Sequence, residues 1–356
     1  MHEEGSEMRC RFMGVVGLIH VLGVLGCGSA PDADEPVPGG APLSDEEILS
    51  VPSPGLENFV KVYEEVLNQN PTLDPESNEF ARLLLRQLKE ITARSTQKTV
   101  ALSSGVAWVL GVTDAEWLLA ARHPPKAVRT WFAAQDAQAR ATSFGLSYGL
   151  TDDRADAFRH SYWNVLMAKC CGLDWARDFA TAHESESPPT RDDTIMDLNN
   201  NEVGRNIYSS APGASDEAHI QMIKDFPGSC MRPGVTYDPS RLVYMLPCPV
   251  IRTQFLSEPT GAIDVLLDGK RLGTLSSTTF AMDSPMSDLR TGTHALTLTC
   301  VNKGKSKGCA VAATLSLWML TFADGSFLST ASLAEDASTT LSVNVPPFGK
   351  EWGPPK

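Results

Sequence analysis

Apolar residues recur at helical spacing between Asp45 and about Phe226, and at alternate positions after about Pro249, so the chain divides into a helical part and a β part. Phe59, Val62, Tyr63 and Val66 share one helical face, and Phe80, Leu83, Leu84, Leu88 and Ile91 share the next. Further helices are predicted over 114–122, 125–145, 153–171, 174–186, 194–209 and 215–225. Gly172 suits a helix stop, and Asp174 suits the cap of the helix that follows it. In the β part, Ile263, Val265 and Leu267 alternate ahead of Asp268-Gly269, a hairpin signal. His294, Leu296, Leu298 and Cys300 alternate too, as do Val311, Ala313, Leu315 and Leu317; Asp324-Gly325 marks another turn, and Leu341, Val343 and Val345 another strand. About seven short strands in roughly a hundred residues predict an immunoglobulin-like β-sandwich. The expected fold class is therefore an α-helical domain followed by an all-β sandwich. Such sandwiches serve as spacers or binding elements, and fold alone does not decide which.

The N-terminal segment changes the compartment. Arg9 and Arg11 precede an apolar stretch from Met13 to Gly26 that is shorter than the ~20 residues a bilayer needs, and Val24-Leu25-Gly26 leads into Cys27. This resembles a bacterial lipoprotein signal starting at Met8, in which Cys27 would be lipidated and become the mature N-terminus. The expected organisation is a signal over 1–27, a Pro-, Gly- and Ala-rich tether over 28–44 and a helical domain over 45–249. A sandwich over 250–346 and a tail over 347–356 complete it. A lipid-anchored envelope location, with the membrane as partner through the lipid, is the expectation that follows. Removing residues 1–26 takes two arginines and three glutamates from a chain of net charge −13 and leaves −12. Nucleic acid is thus disfavoured as a partner, because phosphates need clustered cations. The one dense basic run, Lys303, Lys305 and Lys307, reads as a solvated turn. The apolar stretch Val100–Val112 is too short to span a membrane and contains Ser103 and Ser104.

Export also bears on the cysteines. Of eight, setting aside Cys10 and Cys27 leaves six. Cys300 with Cys309, and Cys230 with Cys248, are expected to pair, while Cys170 and Cys171 stay reduced. None has the spacing of a zinc ribbon or a redox motif.

Chemistry-bearing residues concentrate between Asp156 and Arg205. At 100° per residue, Asp156, His160, Trp163 and Met167 fall within a stripe about 60° wide. His183 follows Trp175 and Phe179 on the apolar side of its helix, with Glu184 turned away. Asp197, Asn201, Gly204 and Tyr208 line a third stripe, flanked by Asn200 and Arg205, and the missing side chain at Gly204 admits a close neighbour. Polar groups on three inward stripes must satisfy one another or bind something, since burying each neutral one alone costs ~1–3 kcal/mol. The candidate site residues are therefore Asp156, His160, His183, Glu184, Asp197, Asn201 and Arg205. Arg205 is expected to hold an anion or to pair with Asp156 or Glu184. No P-loop or dinucleotide fingerprint accompanies them.

The motifs D-A-F-R-H-x-x-W, A-H-E and M-D-L-x-N-N-x-x-G-R, taken in order, resemble an uncharacterised bacterial helical domain of unknown function found in exported, wall-associated and toxin-like chains. The resemblance spans about residues 115–246. It implies no activity; it nominates Asp156, Arg159, His160, Trp163, His183, Glu184, Asp197, Asn200, Asn201 and Arg205, and it places Asn199 where many relatives carry histidine. Two chemistries stay open. A divalent metal on His160, His183 and Asp197 uses acceptable ligand types, and general base catalysis by His160 oriented by Asp156 needs no metal. A third reading makes the cluster a purely structural lock in a binding or scaffold lipoprotein.

Overall fold

The computed structural model describes residues 40–95, 112–143, 151–231, 234–245 and 248–255, then 262–276, 279, 281–285, 292–301, 309–317, 320–321, 328–333 and 337–345. The signal with Cys27, tether residues 28–39, positions 100–111, the Lys303–Lys307 run, the Asp324-Gly325 turn and the tail lie outside the described residues. Among the described residues, no helix is long and apolar enough to cross a membrane.

The first helical layer comprises α1 (Asp45–Leu49), α2 (Leu56–Gln69), α3 (Asn78–Ser95) and α4 (Asp114–Arg122). The predicted stripes bury Phe59, Val62, Tyr63 and Val66 against Phe80, Leu84 and Leu88, while Ile91 lies exposed at the far end of α3. Trp117 of α4 closes this core. Its ring meets Phe59 edge-on at 5.9 Å, and its Nε1 donates to the Val51 carbonyl at 3.1 Å, so the indole is packed and satisfied at once. Residues 40–44, read from sequence as the end of the tether, pack on this layer: Leu43 is buried and Arg82 donates to the Ala41 carbonyl at 2.6 Å.

The second layer comprises α5 (Pro124–Ser143), α6 (Arg154–Cys171), α7 (Leu173–His183), α8 (Asp192–Ser210) and α9 (Asp216–Asp225). α6 is its axis, buried along nearly its whole length. Phe158, Tyr162, Val165 and Met167 of α6 share a core with Trp175, Phe179, Val203, Ile207 and Ile223. Gly172 ends α6 as expected, at φ 94°, and this positive φ turns the chain so abruptly that Gly172 is also the N-cap of α7. Asp174 therefore sits inside the first turn of α7 and is not its cap. α7 stops at His183, short of the predicted 186, and Glu184 is the residue that caps it.

At Gly204 of α8 a Cβ would lie 2.1 Å from the Ser161 carbonyl oxygen of α6. Only glycine admits that approach.

The sequence pattern anticipates no strand before Pro249, yet β1 (Gly228–Cys230) and β2 (Leu242–Tyr244) form a parallel pair packed under α6 and α8. Three-residue strands are too short to display alternation, and tertiary contacts hold them. Asn200 donates to the Val243 carbonyl at 2.8 Å and accepts its N–H at 2.9 Å, and the expected Cys230–Cys248 disulfide closes the loop.

The C-terminal part holds, among the described residues, β3 (Pro249–Phe255), β4 (Ala262–Leu267), β5 (Lys270–Leu275), β6 (Ala281–Pro285), β7 (Gly292–Val301), β8 (Cys309–Leu317), β9 (Leu320–Thr321), β10 (Leu328–Leu333) and β11 (Ser338–Val345). They make two antiparallel sheets, in the orders β10-β8-β3-β6, with β9 on β8, and β11-β7-β4-β5. The alternating residues share a face in register: Ile263 opposite Cys300, Val265 opposite Leu298 and Leu267 opposite Leu296, all buried. Asp268 (φ 47°) and Gly269 (φ 79°) both turn left-handed and form the anticipated hairpin. Cys300 is disulfide-bonded, whereas the side chain of its expected partner Cys309 lies outside the described residues. Cys170 and Cys171 are free thiols, as expected.

Gly204→Ala should lower stability by about 1–3 kcal/mol or more, because the carbonyl it meets belongs to a packed helix. A urea midpoint equal to wild type would show that α6 and α8 do not need this approach.

Candidate functional site

Asp156 occupies the first turn of α6, where its N–H is received by the Asp153 side chain at 2.9 Å. Its carboxylate is held from two sides. Asp152, at φ 60°, turns its N–H onto Oδ2 at 2.7 Å, and Arg159, one turn on, places Nε 3.0 Å from Oδ1 with a second guanidinium nitrogen on the same oxygen.

His160 lies one turn beyond Asp156 and keeps only 2% of its side-chain exposure. Its Nε2 faces the Arg159 guanidinium at 2.9 Å, and its Nδ1 faces the Asn201 Oδ1 at 3.2 Å. A guanidinium can only donate, so the network assigns the lone pair to Nε2 and the proton to Nδ1. Asn201 is oriented in turn: its Oδ1 also receives the Asn164 Nδ2 at 2.7 Å, and the Asn164 Oδ1 receives Arg205 at 2.8 Å. Burial, followed by the nearby Arg159 charge, pulls the His160 pKa down to about 3, so the imidazole is neutral.

Carboxyl groups close around this ring. Asp197 Oδ1 lies 3.3 Å and Asp156 Oδ1 3.6 Å from Nε2, while Glu184 Oε1 lies 3.9 Å from Nδ1. Burial, then the Asp156 and Glu184 charges, push Asp197 well above the usual carboxylate range. Burial likewise raises Glu184. His183 stands behind them, its Nδ1 2.7 Å from the buried Glu116 Oε1. Burial pushes His183 down, but the hydrogen bond and charge of Glu116 outweigh it and leave the pKa raised. Among the described residues, Asp197 Oδ1, Glu184 Oε1 and Asn201 Nδ2 are buried and find no hydrogen-bond partner. Leaving such groups unsatisfied costs about 1–3 kcal/mol each and more when charged, so the arrangement is incomplete without a further molecule or ion.

Five of the seven predicted residues converge: Asp156, His160, Glu184, Asp197 and Asn201. His183 stands one layer out, its ring centroid 6.5 Å from that of His160 and its Nδ1 committed to Glu116. Arg205 does not reach Asp156 or Glu184; it pairs with Glu202 on its own helix and with Asn164. The partner of Asp156 is Arg159, which lies off the stripe and reaches it through a long side chain. The metal-ligating set changes accordingly. The atoms lying within 4.8 Å of one another belong to Asp156, His160 and Asp197, with Asp156 in the place assigned to His183. Asn164 and Glu116 were missed. Asn164 is simply the next turn of the His160 stripe, whereas Thr113 and Glu116 form a complete capping box that hides the second role of Glu116. Asn199 faces away, donating to the Arg241 carbonyl at 2.9 Å and accepting the Asp238 N–H at 2.7 Å, so it takes no part in the centre.

Residues 117–226 match a family model described as a domain of unknown function, DUF6973. Every residue of the cluster except Glu116 lies inside that span. No curated protein and no solved structure matches the chain.

Between pH 6.5 and about 3 the unfolded chain takes up a proton at His160 that the folded chain does not, so this group's contribution to stability falls as pH falls. Relative to His160→Gln, wild type should lose up to about 1.4 kcal/mol per pH unit across that window. Imidazole ¹⁵N spectra should show an unchanged Nδ1–H tautomer from pH 8 to pH 5. A His160 that titrates near 6.5 would contradict the assignment.

Proposed function

We propose that the helical domain is a hydrolase and that the chain is a lipid-anchored protein of the bacterial envelope. The observation that carries the first half is the set of partnerless buried atoms, Asp197 Oδ1, Glu184 Oε1 and Asn201 Nδ2, gathered around one neutral histidine. Strongly displaced pKa values with specific charge partners concentrate at reactive centres. The groups also divide the work. A base with a pKa near 3 accepts protons poorly at neutrality, which moves the proton-accepting role from His160 to the carboxyl groups whose pKa values are raised. Glu184 would take a proton from water, and Asp197, whose affinity for protons is raised by burial and by the Asp156 and Glu184 charges, would deliver one to the leaving group. Arg159, held by Asp156, would stabilise the negative charge that develops. Side-chain exposures of 16% at Asp197, 13% at Arg159 and 22% at His183, against 2% at His160, mark the edge of the centre from which a reacting molecule would approach. The envelope half rests on the Arg9–Cys27 pattern.

The scaffold reading draws on the Asp156–Arg159 ion pair and the Asn199 and Asn200 ties, which lock helices without any reaction. Asp197→Asn separates the two. The full chain, incubated with phospholipid vesicles, peptidoglycan sacculi and chromogenic esters, phosphoesters and glycosides, should release product from at least one. Asp197→Asn should cut that release at least about 100-fold with the unfolding midpoint kept, since the amide cannot donate the acid's proton. No product from any of these substrates, with only stability altered by the substitution, would overturn the hydrolase and favour the scaffold.

Cys27→Ser should abolish fatty-acid labelling of the protein in growing bacteria and move it from the membrane fraction to the soluble one. Retained label would refute the anchor.

A further inference from the structure

We propose that Asp156, His160 and Asp197 bind a divalent transition-metal cation, with Arg159 occupying the cation's place in its absence. The proposal rests on the hydrolase reading and revises its roles: with the cation bound, Asp197 is a ligand and no longer the proton donor, Glu184 keeps the part of the base, and the cation takes from Arg159 the stabilisation of negative charge; its test is binding alone. The spacing of the ligand atoms is the first argument. Ligands about 2.1 Å from a tetrahedral centre stand about 3.4 Å apart. His160 Nε2 is 3.3 Å from Asp197 Oδ1 and 3.6 Å from Asp156 Oδ1, and all three atoms lie within 4.8 Å of one another.

The second argument is the orientation of the imidazole. Asn201 Oδ1 takes the Nδ1 proton, and the Nε2 lone pair is left facing both carboxylates. Metal-bound histidines are held in this way, with the distal N–H donated to an oriented oxygen. Here the orienting chain runs back through buried Asn164 to the partly buried Arg205.

The third argument is unmet valence. Asp197 Oδ1 has no hydrogen-bond partner, and Glu184, whose side chain is only 10% exposed, leaves its Oε1 equally without one on the other edge of the same ring. Asp156, Asp197 and Glu184 together bring three carboxyl groups to a spot where, among the described residues, Arg159 supplies the guanidinium. That guanidinium lies on Asp156 Oδ1 and His160 Nε2, the same two atoms a cation would use. Cation and Arg159 therefore compete, and the 13% exposure of Arg159 leaves its side chain a way out to solvent. One imidazole with carboxylates suits Zn²⁺ or Mn²⁺ better than Ca²⁺, which takes oxygen ligands.

The test uses the full chain in mild detergent, stripped with a chelator and titrated calorimetrically with ZnCl₂, MnCl₂ and CaCl₂. Wild type should bind one Zn²⁺ or Mn²⁺ per chain in preference to Ca²⁺. Asp197→Asn and His160→Gln should weaken binding by more than about 100-fold, beyond the effect of losing an outer partner. Arg159→Gln should tighten it about tenfold or more, because the resident cation is gone; one kept permanently by Arg159 predicts the reverse, lost stability and no binding. Pulsed magnetic resonance of bound Mn²⁺ should detect one coordinated imidazole nitrogen that His160→Gln removes, a readout that a folding defect cannot imitate. Absence of binding in both wild type and Arg159→Gln, or binding untouched by Asp197→Asn and His160→Gln, overturns the proposal. A chain that binds metal and hydrolyses nothing refutes the hydrolase and leaves the metal site; product release that persists without any binding does the opposite.

Discussion

The carbonyl of Ser161 and the bare α-carbon of Gly204 set the distance between α6 and α8, and the polar centre exists at that distance. Two helices separated by ordinary side chains would stand farther apart, beyond the reach of the short hydrogen bonds that join their polar stripes. Here Ser161 instead sends its hydroxyl to the Asn200 carbonyl at 3.0 Å, and the Asn201 amide oxygen receives the His160 proton. Close approach turns two amphipathic stripes into a continuous hydrogen-bonded seam.

Desolvation follows from that seam and governs the electrostatics. Water is removed from His160, Asp197 and Glu184 together, and burial is the leading cause of displacement for all three. An imidazole loses its affinity for protons while its neighbouring carboxyl groups gain it, so charge is minimised wherever no partner stands near. Where a partner does stand near, the group is paired: Glu116 holds His183 on one flank and raises its pKa, and Arg159 holds Asp156 on the other. The centre is thus a ring of buried, half-satisfied groups flanked by the His183–Glu116 and Arg159–Asp156 pairs.

Asn199, Asn200 and Asn201 show how a short polar run is divided by helix geometry. At 100° per residue their side chains diverge. Asn199 holds the segment around Asp238, Asn200 clamps β2 through both edges of its amide, and Asn201 orients His160. Two of the three thus attach the strand pair and the loop between its strands to α8, and the disulfide at Cys230 secures the same segment. The third alone serves the centre.

The hydrophobic periods, the glycines at 172 and 204 and the stripes of Asp156, His160, Asp197 and Asn201 were legible along the chain, because each depends on local geometry that repeats every turn or every second residue. The helices, the Asp268-Gly269 hairpin and the Cys230–Cys248 pair were readable for the same reason or from simple bracketing. Partner choice was not. Arg159 reaches Asp156 and Arg205 reaches Asn164 because long side chains bend toward whatever the packing leaves unpaired, and Glu116 meets His183 from a helix 67 residues away. β1 and β2 were equally silent, since three residues carry no period and their hydrogen bonds come from elsewhere. Sequence alone determined which faces turn inward and which chemistry they carry. Tertiary structure decided which of those groups meet, which are shielded from water and hence what charge each bears, because long-range contact and dielectric surroundings are properties of the assembled core and of no single segment.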